Sequence, residues 1–157
     1  MTSGRRLTAR VLLGLIILTV AVIFLHSAMS PEVSSSESGA VGEIVDKVVP
    51  DSFSLKQFII DNIRKIAHFL EFGLLGAEVY ALILALSVFG TKSLSLSLGF
   101  GAAVAFFDES VQLLSNRGPS ITDMWIDIFG YLSFSLIAAL VHLIVYCIKR
   151  RKNKEKI

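Results

Sequence analysis

Four long apolar runs set the terms for this chain. Residues 11–28, 66–88, 94–114 and 124–146 each approach or exceed the roughly 20 residues that a helix needs to cross about 30 Å of hydrocarbon. The charged residues are clumped, and most lie between these runs. They make up only 18% of the 157 residues, against 54% apolar, where soluble domains carry about 25% charge. The expected fold is therefore all-α: a single domain, 1–157, built as a polytopic membrane bundle with four transmembrane spans. The first run follows Arg5, Arg6 and Arg10, as the apolar region of a signal peptide would. It is longer than such regions usually are and no clear small-x-small cleavage site follows, so it reads as a span. The lone Cys147 allows no internal disulfide and no multi-cysteine zinc site.

Charge distribution gives an orientation. Ten lysines and arginines fall in the N-terminus, the connection at Lys92 and the tail 147–157, against five on the opposite side: Lys47, Lys56, Arg64, Lys65 and Arg117. The positive-inside rule then puts both termini in the cytoplasm and the 29–65 connection outside, in a multi-pass membrane protein. Trp125 and Tyr146 suit the two interfaces of the last span. In the outer connection SPEVSSSESG reads as irregular. The stretch SFSLKQFIIDNIRKIAHFL places Leu55, Phe58, Ile59, Ile63 and Ile66 at helical spacing, with Ser52 or Ser54 as a cap. It reads as an amphipathic outer-surface helix before span two, or as an early extension of that span.

Ionisable residues inside spans cost a few kcal/mol each on insertion scales and usually face a bundle interior or a water-filled cavity. Arg64, His68 and Glu71 share one helical stripe, which Glu78 continues about 10 Å deeper. In FFDESVQLL, Gln112 follows Asp108 by four residues and Glu109 by three. Asp123 and Asp127 share a stripe with Gly130, which permits close helix approach. All of these fall on the outer side. Arg64, Lys65 and Arg117 oppose five carboxylates, Glu71, Asp108, Glu109, Asp123 and Asp127. Such a cluster in low dielectric needs protons, a charged His68 or a bound cation. Plainer readings stand beside these: Ser120 and Asp123 as a helix cap, Glu78 as interhelical packing, Asp108 and Glu109 as salt-bridge partners of Arg64 or Arg117.

The segments RKIAHFLEFGLLG and FFDESVQLLSNRGPSITDMWIDIFG, with FLHSAMSP after span one, resemble the VanZ-like family of bacterial membrane proteins. The resemblance covers roughly 24–130, with several motifs in the expected order; one departure is Asp127, where members commonly carry Asn. It implies a small helical membrane protein, linked in the founding member to resistance to the glycopeptide teicoplanin.

Three functions compete. The first is an envelope protein that binds or modifies a lipid-linked cell-wall intermediate or phospholipid head group. Arg64, Lys65, Gln112, Arg117, Asp123 and Asp127 would hold the ligand, while His68, Glu71, Asp108 and Glu109 supply acid and base. Glu71, Asp108, Glu109 and Asp127 are oxygen donors suited to Mg²⁺ or Ca²⁺, though the sequence requires neither. The second is a non-enzymatic structural or interaction module, and the third an ion or proton pathway. The inner halves of the spans carry little polarity beyond Glu78, which argues against a pathway. Beyond the lipid bilayer no partner is specified, and none is expected among nucleic acids.

Overall fold

In the computed structural model, residues 2–115, Gly118 and residues 120–154 are described. They form six helices in chain order: α1 (Ser3–Ala28), α2 (Pro31–Val48), α3 (Lys56–Asp61), α4 (Ile63–Leu86), α5 (Thr91–Leu114) and α6 (Ile121–Lys154). No strand occurs among the described residues. Four helices, α1, α4, α5 and α6, are long and apolar enough to cross a membrane. At 1.5 Å per residue the 24 residues of α4 and of α5 reach about 36 Å.

The distribution of polarity is that of a protein dissolved in lipid. His68, Asp108, Glu109, Gln112 and Asp127 are buried, while Leu13, Ile17, Leu18, Leu74, Phe106, Leu136 and Leu143 are exposed. In water such a surface would expose a large apolar patch. In hydrocarbon it costs nothing. The chain is a multi-pass membrane protein.

A small apolar core of Ile16, Ile23, Phe72, Leu75, Val79, Val104, Ala105 and Tyr131 joins the four long helices. Glycine sets how closely α4 and α6 approach. A Cβ on Gly130 would lie 2.3 Å from the Phe69 carbonyl oxygen, and one on Gly76 would lie 2.2 Å from that of Tyr131. Gly130 thus performs the close approach its position suggests, and it brings Asp127, three residues earlier, against α4. Tyr131 ties in α5: its ring covers Gly101 and its hydroxyl donates to the Ser97 carbonyl at 3.0 Å. At the opposite end Arg5 donates to the Ser87 hydroxyl at 2.8 Å, so the basic N-terminus meets the end of α4.

The connection between α1 and α4 differs from its reading in two ways. SPEVSSSESG is helical, not irregular: Pro31 opens α2 and the Ser30 hydroxyl accepts from Val33 N–H at 3.5 Å. Ser, Pro and Glu read as loop residues, yet Ser30 before Pro31 and Glu32 is also a helix start. Glu32 lies below the ordinary carboxylate range, first through its hydrogen bond with Ser30. The second difference is that the amphipathic stretch is neither one surface helix nor a straight extension of span two. It breaks at Asn62, whose side-chain amide donates to the Phe58 carbonyl at 2.9 Å. This satisfies an orphan carbonyl and lets the chain turn from α3 into α4. No serine side chain caps α3; its N-cap is Leu55.

Lys56 locks this connection. Its ammonium lies 2.9 Å from an Asp46 carboxylate oxygen and 2.5 Å from one of Asp51, and also donates to the Asp46 carbonyl. Hydrogen bonds to Asp46 and Asp51 raise the Lys56 pKa, and the Lys56 hydrogen bond lowers that of Asp51. Asp51 therefore contributes above the ordinary carboxylate pKa and is lost as pH falls through its lowered value. Lys56 contributes below the ordinary lysine pKa and is lost as pH rises through its raised value. Hydrogen exchange over residues 46–61, corrected for intrinsic rates, is expected to show protection that is flat from about pH 5 to about pH 9 and falls on either side. Lys56→Met is expected to remove both edges. In the bundle, Gly130→Ala is expected to destabilise by about 1–3 kcal/mol in detergent unfolding. Gly14→Ala is expected to be neutral, because nothing lies within 4 Å of a Cβ there.

Candidate functional site

The end of α1, the start of α4, the end of α5 and the start of α6 meet at one end of the bundle, and their polar side chains form a continuous chain of contacts. Arg64 donates to Gln112 Oε1 at 2.7 Å, and Gln112 Nε2 donates to Asp108 Oδ2 at 2.9 Å. The other Asp108 oxygen accepts from the Ser27 hydroxyl at 2.5 Å. His68 Nδ1 lies 3.6 Å from Asp108 Oδ2 and 3.6 Å from Asp127 Oδ1. At that separation neither contact is a hydrogen bond. Asp108 and Asp127 are fully buried, at 0% exposure each.

Glu109 faces the other way. One of its oxygens accepts from the Ser120 N–H at 2.8 Å, while the Ser120 hydroxyl accepts from Asp123 N–H at 3.3 Å. In a capping box the residue three positions on reaches back to the cap N–H. Here Glu109, from the neighbouring helix, makes that bond, so the start of α6 is capped partly by α5.

Glu71 does not join His68. It meets His26 of α1, with Nδ1 and Oε1 2.5 Å apart. Glu78 takes a hydrogen bond from the Thr19 hydroxyl at 3.1 Å, deeper in the bundle. Lys65 is exposed, and Arg117 lies outside the described residues. Of the residues expected to act together, Arg64, His68, Asp108, Gln112 and Asp127 form one contiguous group. Glu71 pairs with His26 at one flank, and at the other Ser120 links Glu109 to the Asp123 backbone N–H.

The residues missing from the sequence-based set are on α1. Thr19, Ile23 and Ser27 are buried together with Ile16, and they repeat at helical spacing along the face that meets the bundle. Their polar members stand opposite Glu78 and Asp108. The His26-Ser27 pair ending an apolar run is the same kind of signal that singled out the other helices.

Two cavities open beside the group. A polar one of about 230 Å³ is lined by Asn62, Arg64, Lys65, His68, Gln112 and Asp123, among others. A largely apolar one of about 340 Å³ runs between α2 and α4, lined by Val41, Val45, Ile59, Ile63, Ile66 and Leu70, with His26 and Glu71 at its wall. Arg64 and His68 belong to both.

The family described as VanZ/LLP1 matches residues 12–142, which spans α4 and α5 and most of α1 and α6. The chain belongs to the VanZ/LLP1 family. No curated protein and no solved structure matches it. Every contact in the buried group joins residues inside the matched region, so the group is built from the VanZ/LLP1 core and not from the basic tail.

The Ser27 to Asp108 hydrogen bond crosses from α1 to α5 with a buried carboxylate as acceptor. Ser27→Ala is expected to cost about 1–2 kcal/mol in unfolding from micelles or bicelles. A double-mutant cycle with Asp108→Asn is expected to show that the two changes are not additive.

Proposed function

We propose that this VanZ/LLP1 protein binds an amphiphile with an anionic, phosphate-type head group at the outer face of a bacterial cell membrane. The observation that carries this reading is the pairing of the two cavities. A head group fits the polar cavity beside Arg64 and Lys65, and an acyl or prenyl chain fits the apolar groove, with Arg64 and His68 at the junction. Guanidinium and ammonium groups are the usual partners of phosphate oxygens. The excess of lysine and arginine at the far end, in the N-terminus and the α6 tail, supports an orientation with both termini inside and the site in the outer leaflet.

A lipid-linked cell-wall intermediate has this amphiphilic form. Its capture or modification would link the protein to envelope composition and to teicoplanin-type susceptibility. The His26–Glu71 pair beside the groove has the geometry of an oriented imidazole suited to proton transfer. His68, Asp108 and Glu109 lie farther inside.

A second reading, a structural module, is favoured by the bonds between helices: Ser27 to Asp108, Thr19 to Glu78 and Arg64 to Gln112. Purified protein is expected to bind a polyprenyl phosphate at least about tenfold more tightly than the matching polyprenol, a preference worth about 1.4 kcal/mol. Arg64→Ala and Lys65→Ala together are expected to abolish it. Equal affinity for phosphate and alcohol would contradict the proposal. In cells, His68→Ala at wild-type abundance is expected to change lipid-intermediate pools and glycopeptide susceptibility. Loss of abundance alone would favour the structural module.

A further inference from the structure

Asp127 is the anomaly of the buried group. It is fully buried, and neither of its carboxylate oxygens has a hydrogen-bond partner among the described residues. A buried carboxylate without such bonds is among the costliest arrangements a protein can hold, and one is retained only when something compensates it. Asp127 stands on α6 where Gly130 brings the backbones into contact, so it cannot turn to solvent without separating α4 from α6. The imidazole of His68 stands 3.6 Å from it, too far for a hydrogen bond, so its compensation is a proton, a charged His68 or a cation.

We infer that His68, Asp108 and Asp127 form a binding site for a divalent transition cation of the zinc or manganese class.

Three observations carry this. One imidazole nitrogen and two carboxylate oxygens, from three different helices, lie within 4.8 Å of one another, and all three residues are buried. The separations from His68 Nδ1 to each carboxylate oxygen are 3.6 Å. That is too long for hydrogen bonds, but close to the spacing of ligand atoms around one ion: bonds of about 2.0–2.2 Å in a tetrahedral arrangement place neighbouring ligands about 3.4 Å apart. The third observation is charge. The two carboxylates, when ionised, carry the charge that one divalent ion cancels, and in low dielectric that cancellation matters most.

The donor set indicates the class of ion. Mg²⁺ and Ca²⁺ prefer all-oxygen shells, whereas one imidazole with two carboxylates suits zinc or manganese. Three protein ligands leave a coordination position open, as in sites where the ion also meets water or substrate. The ligands have outer partners of the usual kind. Asp108 accepts from Ser27 through one oxygen and from Gln112 through the other, and Gln112 is held by Arg64, so the carboxylate is oriented before an ion arrives. His68 also lines the polar cavity, which gives the ion a route in. The expected cation-binding residues narrow accordingly. Asp108 and Asp127 remain and His68 joins them, while Glu71 and Glu109 each turn one oxygen to another partner, His26 and the Ser120 N–H, and stand outside the group.

The inference rests on these three side chains and not on the head-group reading. Ion binding in a protein that does not distinguish polyprenyl phosphate from polyprenol would overturn that reading and leave this one standing. The test uses tagless full-length protein stripped with a chelator and titrated calorimetrically with Zn²⁺ and with Mn²⁺, with metal content measured after dialysis. Wild type is expected to hold one ion per chain and to gain thermal stability with it. Asp127→Asn, isosteric and uncharged, is expected to bind at least about 100-fold more weakly and to show no metal-dependent gain. Where Asp127→Asn fails to fold, His68→Gln serves for the same comparison. No binding by wild type, or equal binding by wild type and the variant that folds, would overturn the inference.

Discussion

The structure depends on one constraint: charge placed where water cannot reach it must be answered within the protein. Asp108 and Asp127 have no exposed surface and sit among helices whose outer faces are apolar. Each polar contact at this end of the bundle can be read as part of the answer. Ser27 and Gln112 satisfy Asp108, and Arg64 steadies Gln112 from the side of the polar cavity. One Glu109 oxygen accepts from the Ser120 N–H at the start of α6. Neither oxygen of Asp127 has a hydrogen-bond partner among the described residues, and the imidazole of His68 lies 3.6 Å away, which makes it the place where the demand for compensation is sharpest.

That demand is tied to the fold by glycine. Gly76 and Gly130 let α4 and α6 touch backbone to backbone, and this contact puts His68 and Asp127 on facing helices less than 4 Å apart. Membrane helices gain little from apolar contact with one another, because lipid is equally apolar; close approach and polar bonds hold them together instead. The same geometry therefore stabilises the bundle and assembles the site. Substitutions there will disturb both, so abundance has to be measured alongside any activity.

The sequence revealed the architecture because the bilayer makes simple demands: long apolar runs, and few reasons to bury an acid. Asp108, Gln112, Asp127 and His68 could be picked out by position alone. What spacing could not supply was partnership. Glu71 shares a stripe with His68, yet it turns to His26, because neighbours on one helix need not be partners once a second helix offers a closer group. His26 and Ser27 passed unnoticed as site residues since they end a span whose other residues are nearly all apolar. The serine-rich connection was misread because the residues that open α2, Ser30, Pro31 and Glu32, are the ones that also build loops. The helical spacing of Leu55 to Ile66 ran through Asn62 without a sign of the break there, where the Asn62 side chain bonds the Phe58 carbonyl and the chain turns from α3 into α4.

What neutralises Asp127 decides what kind of protein this is: a bundle with a protonated acid or a charged His68 at its centre, or one organised around an ion. Infrared difference spectroscopy can separate them, since a protonated carboxyl and a carboxylate absorb in different regions and Asp127→Asn identifies the residue. At neutral pH the protein with Zn²⁺ or Mn²⁺ added is expected to show no protonated-carboxyl band from Asp127, and the band is expected to appear when the ion is removed by chelation. A band assigned to Asp127 that persists unchanged with the cation present would contradict this expectation.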